Sequence, residues 1–170
     1  MVEPTLINSL EFAKQSFEIH GKIRASQLSR IKEALFDESS DAEISYILKG
    51  ASSSSGKPGL LLKLNGRLDL CCQRCLGVMS FDLKSSSWFE LVANEALLVE
   101  LSTDEDDEVD YLLADQKFDV EALVEEEVLL AIPFAPKHED ADCAKLAGVK
   151  LEQKQNPFQV LKELKGKVTK

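Results

Sequence analysis

Leu70-Cys71-Cys72-Gln73-Arg74-Cys75-Leu76-Gly77 sets a C-x-x-C in the bend between two segments that both alternate as strands do. Upstream, residues 60–70 put Leu62, Leu64, Leu68 and Leu70 on one face and Lys63, Asn65, Arg67 and Asp69 on the other, which makes one face dry and one wet. Downstream, Met79, Phe81, Leu83, Phe89 and Leu91 repeat the pattern, with Asp82, Lys84 and Glu90 opposite. Such strands with short connections predict an antiparallel meander. The same context classifies the cysteines. A redox pair of the thioredoxin type stands where a strand enters a helix, whose N-terminus acidifies the attacking thiol. Here Leu76-Gly77 leads into another strand, and a C-x-x-C in a turn followed by glycine is the geometry of a zinc knuckle.

Working outward, residues 42–50 alternate through Ile44, Tyr46 and Leu48, and the Ser/Gly/Pro segment 51–59 reads as a mobile hairpin loop. Residues 11–23 alternate loosely around Phe17 and Ile19 and predict a short strand. Ser26 stands as an N-cap before Leu28, Ile31 and Leu35 at helical spacing, which predicts a short amphipathic packing helix. Residues 111–118 suggest one more strand. Asp119 then caps a helix with Val120, Leu123, Val124, Val128 and Ala131 as its stripe and Glu121, Glu125 and Glu126 facing away, stopped by Pro133. The expected fold is α+β: a single domain over residues 1–155, its antiparallel sheet open or curling towards a barrel, with flanking helices. Residues 156–170 are expected to form a short basic C-terminal helix or tail, with Asn156 as N-cap, Pro157 at the first position and Gly166 after the last turn.

The chain's 170 residues carry a net charge of −10. Through Pro136 there are 12 Lys and Arg against 25 Asp and Glu, a balance of −13, whereas residues 137–170 carry 8 against 5. An acidic body repels phosphate, so any nucleic-acid contact needs a local basic surface or a protein intermediary. The acidic run from Asp104 to Asp110 lacks the spacing and glycine of a calcium loop and reads as a solvated segment. No apolar run approaches the roughly 20 residues of a membrane span, and the N-terminus has no signal-peptide pattern. A cytoplasmic protein without membrane contact is expected, and with it a reducing compartment. There, three of four cysteines crowded within five positions suggest metal or redox chemistry rather than a disulfide framework.

After the 119–131 helix and two prolines, the chain supplies His138 and Cys143. Joined with Cys72 and Cys75 they make Cys₃His, a donor set for tetrahedral zinc. Cys71, opposite in phase to Leu70 and Cys72, is expected to face away. Arg74 and Lys137 would flank the metal and, with Lys162, Lys165 and Lys167 of the tail, are the candidate phosphate contacts.

Cys72-Gln73-Arg74-Cys75, the segment Val124-Glu125-Glu126-Glu127-Val128-Leu129-Leu130-Ala131-Ile132-Pro133, His138 with Cys143, and Asn156-Pro157-Phe158-Gln159-Val160-Leu161 occur in that order. In these motifs the chain resembles the bacterial YceD family, the large ribosomal RNA subunit accumulation proteins. The resemblance spans nearly the whole chain; the extra Cys71 departs from it without breaking the C-x-x-C. It implies a non-enzymatic role in synthesis, processing or stability of 23S ribosomal RNA. The implied partners are large-subunit RNA precursors or ribosomal and assembly proteins, with no small-molecule substrate. Two other classes compete with it: a redox or metal-dependent protein using Cys72/Cys75, and a protein-docking module using the acidic surface.

Overall fold

A computed structural model describes residues 6–54, 56–97, 109–139 and residue 143. The expected basic helix at 156–170, with Lys162, Lys165 and Lys167, and the acidic residues 104–108 lie outside them. In chain order the elements are β1 (Leu6–Ile7), α1 (Ser9–Lys14), β2 (Glu18–Arg24), β3 (Glu43–Ser52), β4 (Pro58–Cys71), β5 (Val78–Val92), β6 (Asp110–Leu113), β7 (Phe118–Asp119) and α2 (Val120–Ala131). The main sheet has the order β2-β3-β4-β5-β6, and β1 pairs separately with β7.

Strands β2 to β5 form the expected antiparallel meander. Their alternation sends Ile44, Leu48, Leu60, Leu62, Leu68, Leu70 and Leu83 into a single core, while the charged partners of those residues remain exposed. One face of the sheet is covered by α1, the 25–35 connection and α2, and among the described residues nothing covers the other. This is a two-layer α+β arrangement and not a closed barrel. The last strand differs from expectation: β6 joins β5 in parallel, with Phe89 opposite Asp110 and Val92 opposite Leu113. Parallel pairing of consecutive strands requires a crossover, which a short hairpin cannot make.

Two other expectations are corrected. Residues 11–14 belong to α1, which Asn8 caps by accepting from the Glu11 N–H at 3.2 Å, so the strand begins only at Glu18. The helix expected from Ser26 is instead two 3-10 turns, Ala25–Gln27 and Lys32–Ala34, separated by extended backbone at Leu28. Leu28, Ile31 and Leu35 are all buried as their spacing implied. The backbone among and flanking them, however, is tied to other elements: Ala25 N–H to Ala42 O, Arg30 N–H to Glu125 Oε1, and Phe36 N–H to Asp69 O. Three tertiary bonds at different heights are incompatible with a continuous helical ladder, and weak local propensity yields.

Helix α2 runs as read, with Asp119 Oδ1 accepting from Glu121 and Ala122 N–H at 2.9 and 3.2 Å. The glutamate row is not uniformly wet, because Glu127 is only 7% exposed and accepts from Ser87 Oγ of β5. Glu127 stands three residues after Val124 and seven after Val120, on the buried stripe itself. Glu90 is likewise buried, against Lys57 Nζ at 2.9 Å, although its strand phase puts it on the wet side.

Helix α1 lies directly on the end of β3, where only glycine fits. A Cβ on Gly50 would stand 2.3 Å from Phe12 O and 2.7 Å from the Ala13 Cα. Gly50→Ala is therefore expected to cost about 3 kcal/mol, the upper range for overpacking. Gly56→Ala, at φ +80° with open space around it, costs about 1 kcal/mol through backbone strain alone. Urea denaturation midpoints check the pair; equal shifts for the two variants would disprove the helix-on-strand constraint.

Candidate metal centre

Strands β4 and β5 are joined by a tight turn over residues 72–77. The Cys72 N–H donates to Gly77 O at 2.9 Å and the Leu76 N–H to Cys72 O at 2.8 Å. Closing the turn puts Leu76 in the left-handed region, φ 57°, although it carries a branched side chain that is 70% exposed. A non-glycine residue there costs on the order of 1 kcal/mol and persists only where the surroundings dictate it. The bend brings the Cys72 and Cys75 side chains to the same side, and a Cβ on Gly77 would sit 3.4 Å from Cys75 Sγ.

The 133–139 segment reaches this turn because α2 ends at Ala131 and its prolines keep the chain extended. The Gln73 N–H donates to Pro136 O at 2.8 Å, which pins the segment to the hairpin tip. His138 follows two residues later, with Nε2 2.8 Å from Val78 O and Nδ1 3.5 Å from Cys75 Sγ. The carbonyl of Val78 accepts a hydrogen bond from Nε2–H, so in that tautomer Nδ1 presents its lone pair towards the sulfurs. This orienting bond is the usual companion of a ligating histidine. Cys143 completes the group. The donor atoms of Cys72, Cys75, His138 and Cys143 all lie within 4.8 Å of one another. Cys72 and Cys143 are buried, and Cys75 and His138 half-buried. The structure brings together all four residues that the sequence reading grouped, as a Cys₃His set that could hold a metal ion.

Electrostatics favours a thiolate at the centre. Burial pushes the Cys72 thiol up, but backbone N–H groups of Cys75, His138 and Arg74 and the Cys75 side chain outweigh it, bringing its pKa to about 5. Cys143 moves the other way: burial raises it, and its hydrogen bonds to Cys72 and Cys75 and their charge raise it further. At neutral pH one sulfur is therefore ionised and another still holds a proton that a metal would displace.

Of the other residues singled out, Cys71 is half-exposed at the end of β4 and outside the group. Arg74 donates from Nη1 to Cys143 Sγ at 3.6 Å, while Lys137 is exposed beside the site. Sequence reasoning missed the backbone contributors, Val78 O, Pro136 O and the amides facing Cys72, because every residue type offers the same backbone groups.

Three comparisons bear on kinship. The family model described as "Large ribosomal RNA subunit accumulation protein YceD" matches residues 60–165, a span holding the hairpin, α2 and all four donors. A Haemophilus influenzae protein named "Large ribosomal RNA subunit accumulation protein YceD" is 28% identical, over 96% of this chain and 97% of its own length. No solved structure matches. With its β4–β5 hairpin, turn and donor set inside a family match that covers more than half its length, the chain belongs to the YceD family.

Proposed function

We propose that this protein is a non-enzymatic factor for large-subunit ribosomal RNA, supporting synthesis, processing or stability of the 23S species in the cytoplasm. It acts on the RNA precursor or through ribosomal and assembly proteins. Its hairpin tip and post-helix loop are held together by one structural zinc on Cys72, Cys75, His138 and Cys143. The function rests on membership of a family whose Haemophilus relative bears the ribosomal RNA name. The observation that carries the zinc is the convergence of two segments 63 residues apart on one Sγ–Nδ1 contact, within a complete tetrahedral donor set. When bound, zinc supplies crosslinking rather than chemistry: four protein donors leave no open position for substrate or water.

The redox reading of Cys72/Cys75 has less behind it. The pair sits in a strand-to-strand turn, and the depressed pKa of Cys72 follows from turn amides that serve a metal thiolate equally well. The acidic docking reading loses Glu127 from its surface, since that carboxylate is buried against Ser87.

Native mass spectrometry is expected to find one zinc per chain. In the loaded protein a thiol reagent should modify Cys71 alone, and all four cysteines after chelation and denaturation. Reversible Cys72–Cys75 disulfide formation with no metal would overturn the site. Zinc affinity should rise with pH from 6 to 8, because the raised Cys143 thiol must lose its proton to bind while Cys72 is already ionised; competition titration with a chelator of known affinity reads this. His138→Ala is expected to weaken zinc binding by at least tenfold, removing a ligand and its Val78 anchor together. For the ribosomal role, the full chain should co-sediment with large-subunit precursors, and cells lacking it should hold less 23S relative to 16S RNA. An unchanged ratio together with no co-sedimentation would remove the assignment.

A further inference from the structure

On the open face of the sheet the charge balance of this acidic protein reverses. The register puts Lys22, Arg24, Lys49, Lys63, Arg67 and Lys84 at outward positions on β2–β5. These are six of the 12 Lys and Arg that precede Lys137. Of the 25 acidic residues in the same stretch, the exposed outward positions hold four: Glu18, Glu43, Asp69 and Asp82. Glu90, in the same phase, is buried against Lys57. The face is thus +2 within a stretch that totals −13.

Its two halves differ. On the β2–β3 side the cations are engaged, Lys22 with Glu43 at 2.5 Å, Lys49 with Glu18 at 3.5 Å and Arg24 with Asp41 at 3.7 Å. On the β4–β5 side, among the described residues, neither Lys63 nor Lys84 has an ion-pair partner. Arg67 faces Asp82 in register yet gives its Nε–H to Ser80 Oγ at 2.6 Å, which fixes the guanidinium on the sheet. Lys63 pairs with Ser86, Lys84 with Asn65 and Arg67 with Asp82, so the three cations zigzag along the hairpin as diagonal neighbours about 7 Å apart. Four pairs beyond Lys63, on the side away from the knuckle, lies Gly59, and Trp88 folds across it: a Cβ on Gly59 would be 2.4 Å from the indole Cζ2. Trp88, the chain's single tryptophan, is half-exposed on this face.

We infer that the β4–β5 ridge of Lys63, Lys84 and Arg67, with Trp88 beside it, binds single-stranded RNA through its phosphates, one base stacking on the indole. The inference deepens the ribosomal reading and rests on it for the choice of polyanion. A narrow line of cations with a planar aromatic at one end suits a single strand, whose bases are free to stack. A broad anionic surface such as a membrane would meet the repulsion of the whole −10 charge.

The test uses the full-length zinc-loaded protein and a labelled mixed-sequence single strand of about ten nucleotides, titrated by anisotropy at several salt concentrations. Binding should quench Trp88 fluorescence. K63Q/R67Q/K84Q should lower affinity at least tenfold and flatten the slope of log affinity against log salt by about 2, as expected for three lost phosphate contacts. K14Q/K32Q/K117Q, which removes equal charge away from this face, should change the slope by less than half as much. Circular dichroism confirms the fold of both. Wild-type binding with no quenching and an unchanged slope in the first variant would overturn the ridge alone. Co-sedimentation with precursors but no binding of free RNA would overturn direct contact and leave the ribosomal role to a protein bridge.

Discussion

The register of β4 against β5 is the constraint on which the rest of the molecule depends. Thirteen consecutive pairs, Gly59–Glu90 to Cys71–Val78, hold the two long strands together. Because side chains alternate with a period of two, a slip of one residue would send every core leucine to the surface and every surface lysine inside. The slip is prohibitive because Leu60, Leu62, Leu64, Leu68 and Leu70 are all essentially buried, and exposing even two of them costs on the order of 4 kcal/mol. The same pairing fixes where the turn falls and therefore which side of the tip receives the sulfurs of Cys72 and Cys75. Core, cation ridge and metal centre are three consequences of one alignment.

The second constraint is how a loop so distant in sequence is brought to that tip. Helix α2 packs on β5 through Val120, Val124 and Val128, all fully buried, and Glu127 adds a polar tether to Ser87. A polar contact in that position specifies the helix's placement along the strand, since an apolar stripe alone tolerates sliding. The helix then ends within reach of the turn, and Gln73 N–H to Pro136 O locks the approach. The donors assemble on a scaffold that is hydrogen-bonded before any ion is considered, so binding need not supply the whole ordering cost of the 63-residue closure.

Much of this was legible in the sequence because it is periodic. The alternation of residues 60–70 and 79–91, the Asp119 cap, the Pro133 stop and the Cys₃His donor set each have a local signature, and each is where it was expected. What escaped has no local signature. Residues 26–35 have a helix's spacing but are pulled into two 3-10 turns by bonds to Ala42, Asp69 and Glu125, partners that only the tertiary fold supplies. The parallel arrival of β6 depends on a crossover whose direction composition does not encode. Glu127 was legible in principle, since its position falls on the apolar stripe, but a run of three glutamates reads as a wet face until each is placed by angle. Leu76 in the left-handed region contradicts its own type, and only the closing of the knuckle explains it.

The acidic composition takes on a different meaning once charge is assigned to faces. A net charge of −10 by itself argues against a role at ribosomal RNA, yet electrostatic binding depends on the local field where the ligand sits, screened beyond about 8 Å at physiological salt. Lys63, Lys84 and Arg67 stand on the side of the sheet opposite α2, with its Glu121, Glu125 and Glu126, and the hydrophobic layer between holds the two charge sets apart. At that separation the helix carboxylates barely weaken a phosphate contact at the ridge, but they still disfavour every other orientation of the protein on a polyanion. For the proposed RNA contact, an acidic body would convert a modest basic ridge into an oriented one, suppressing non-specific adhesion to RNA everywhere except the face that the β4–β5 register exposes.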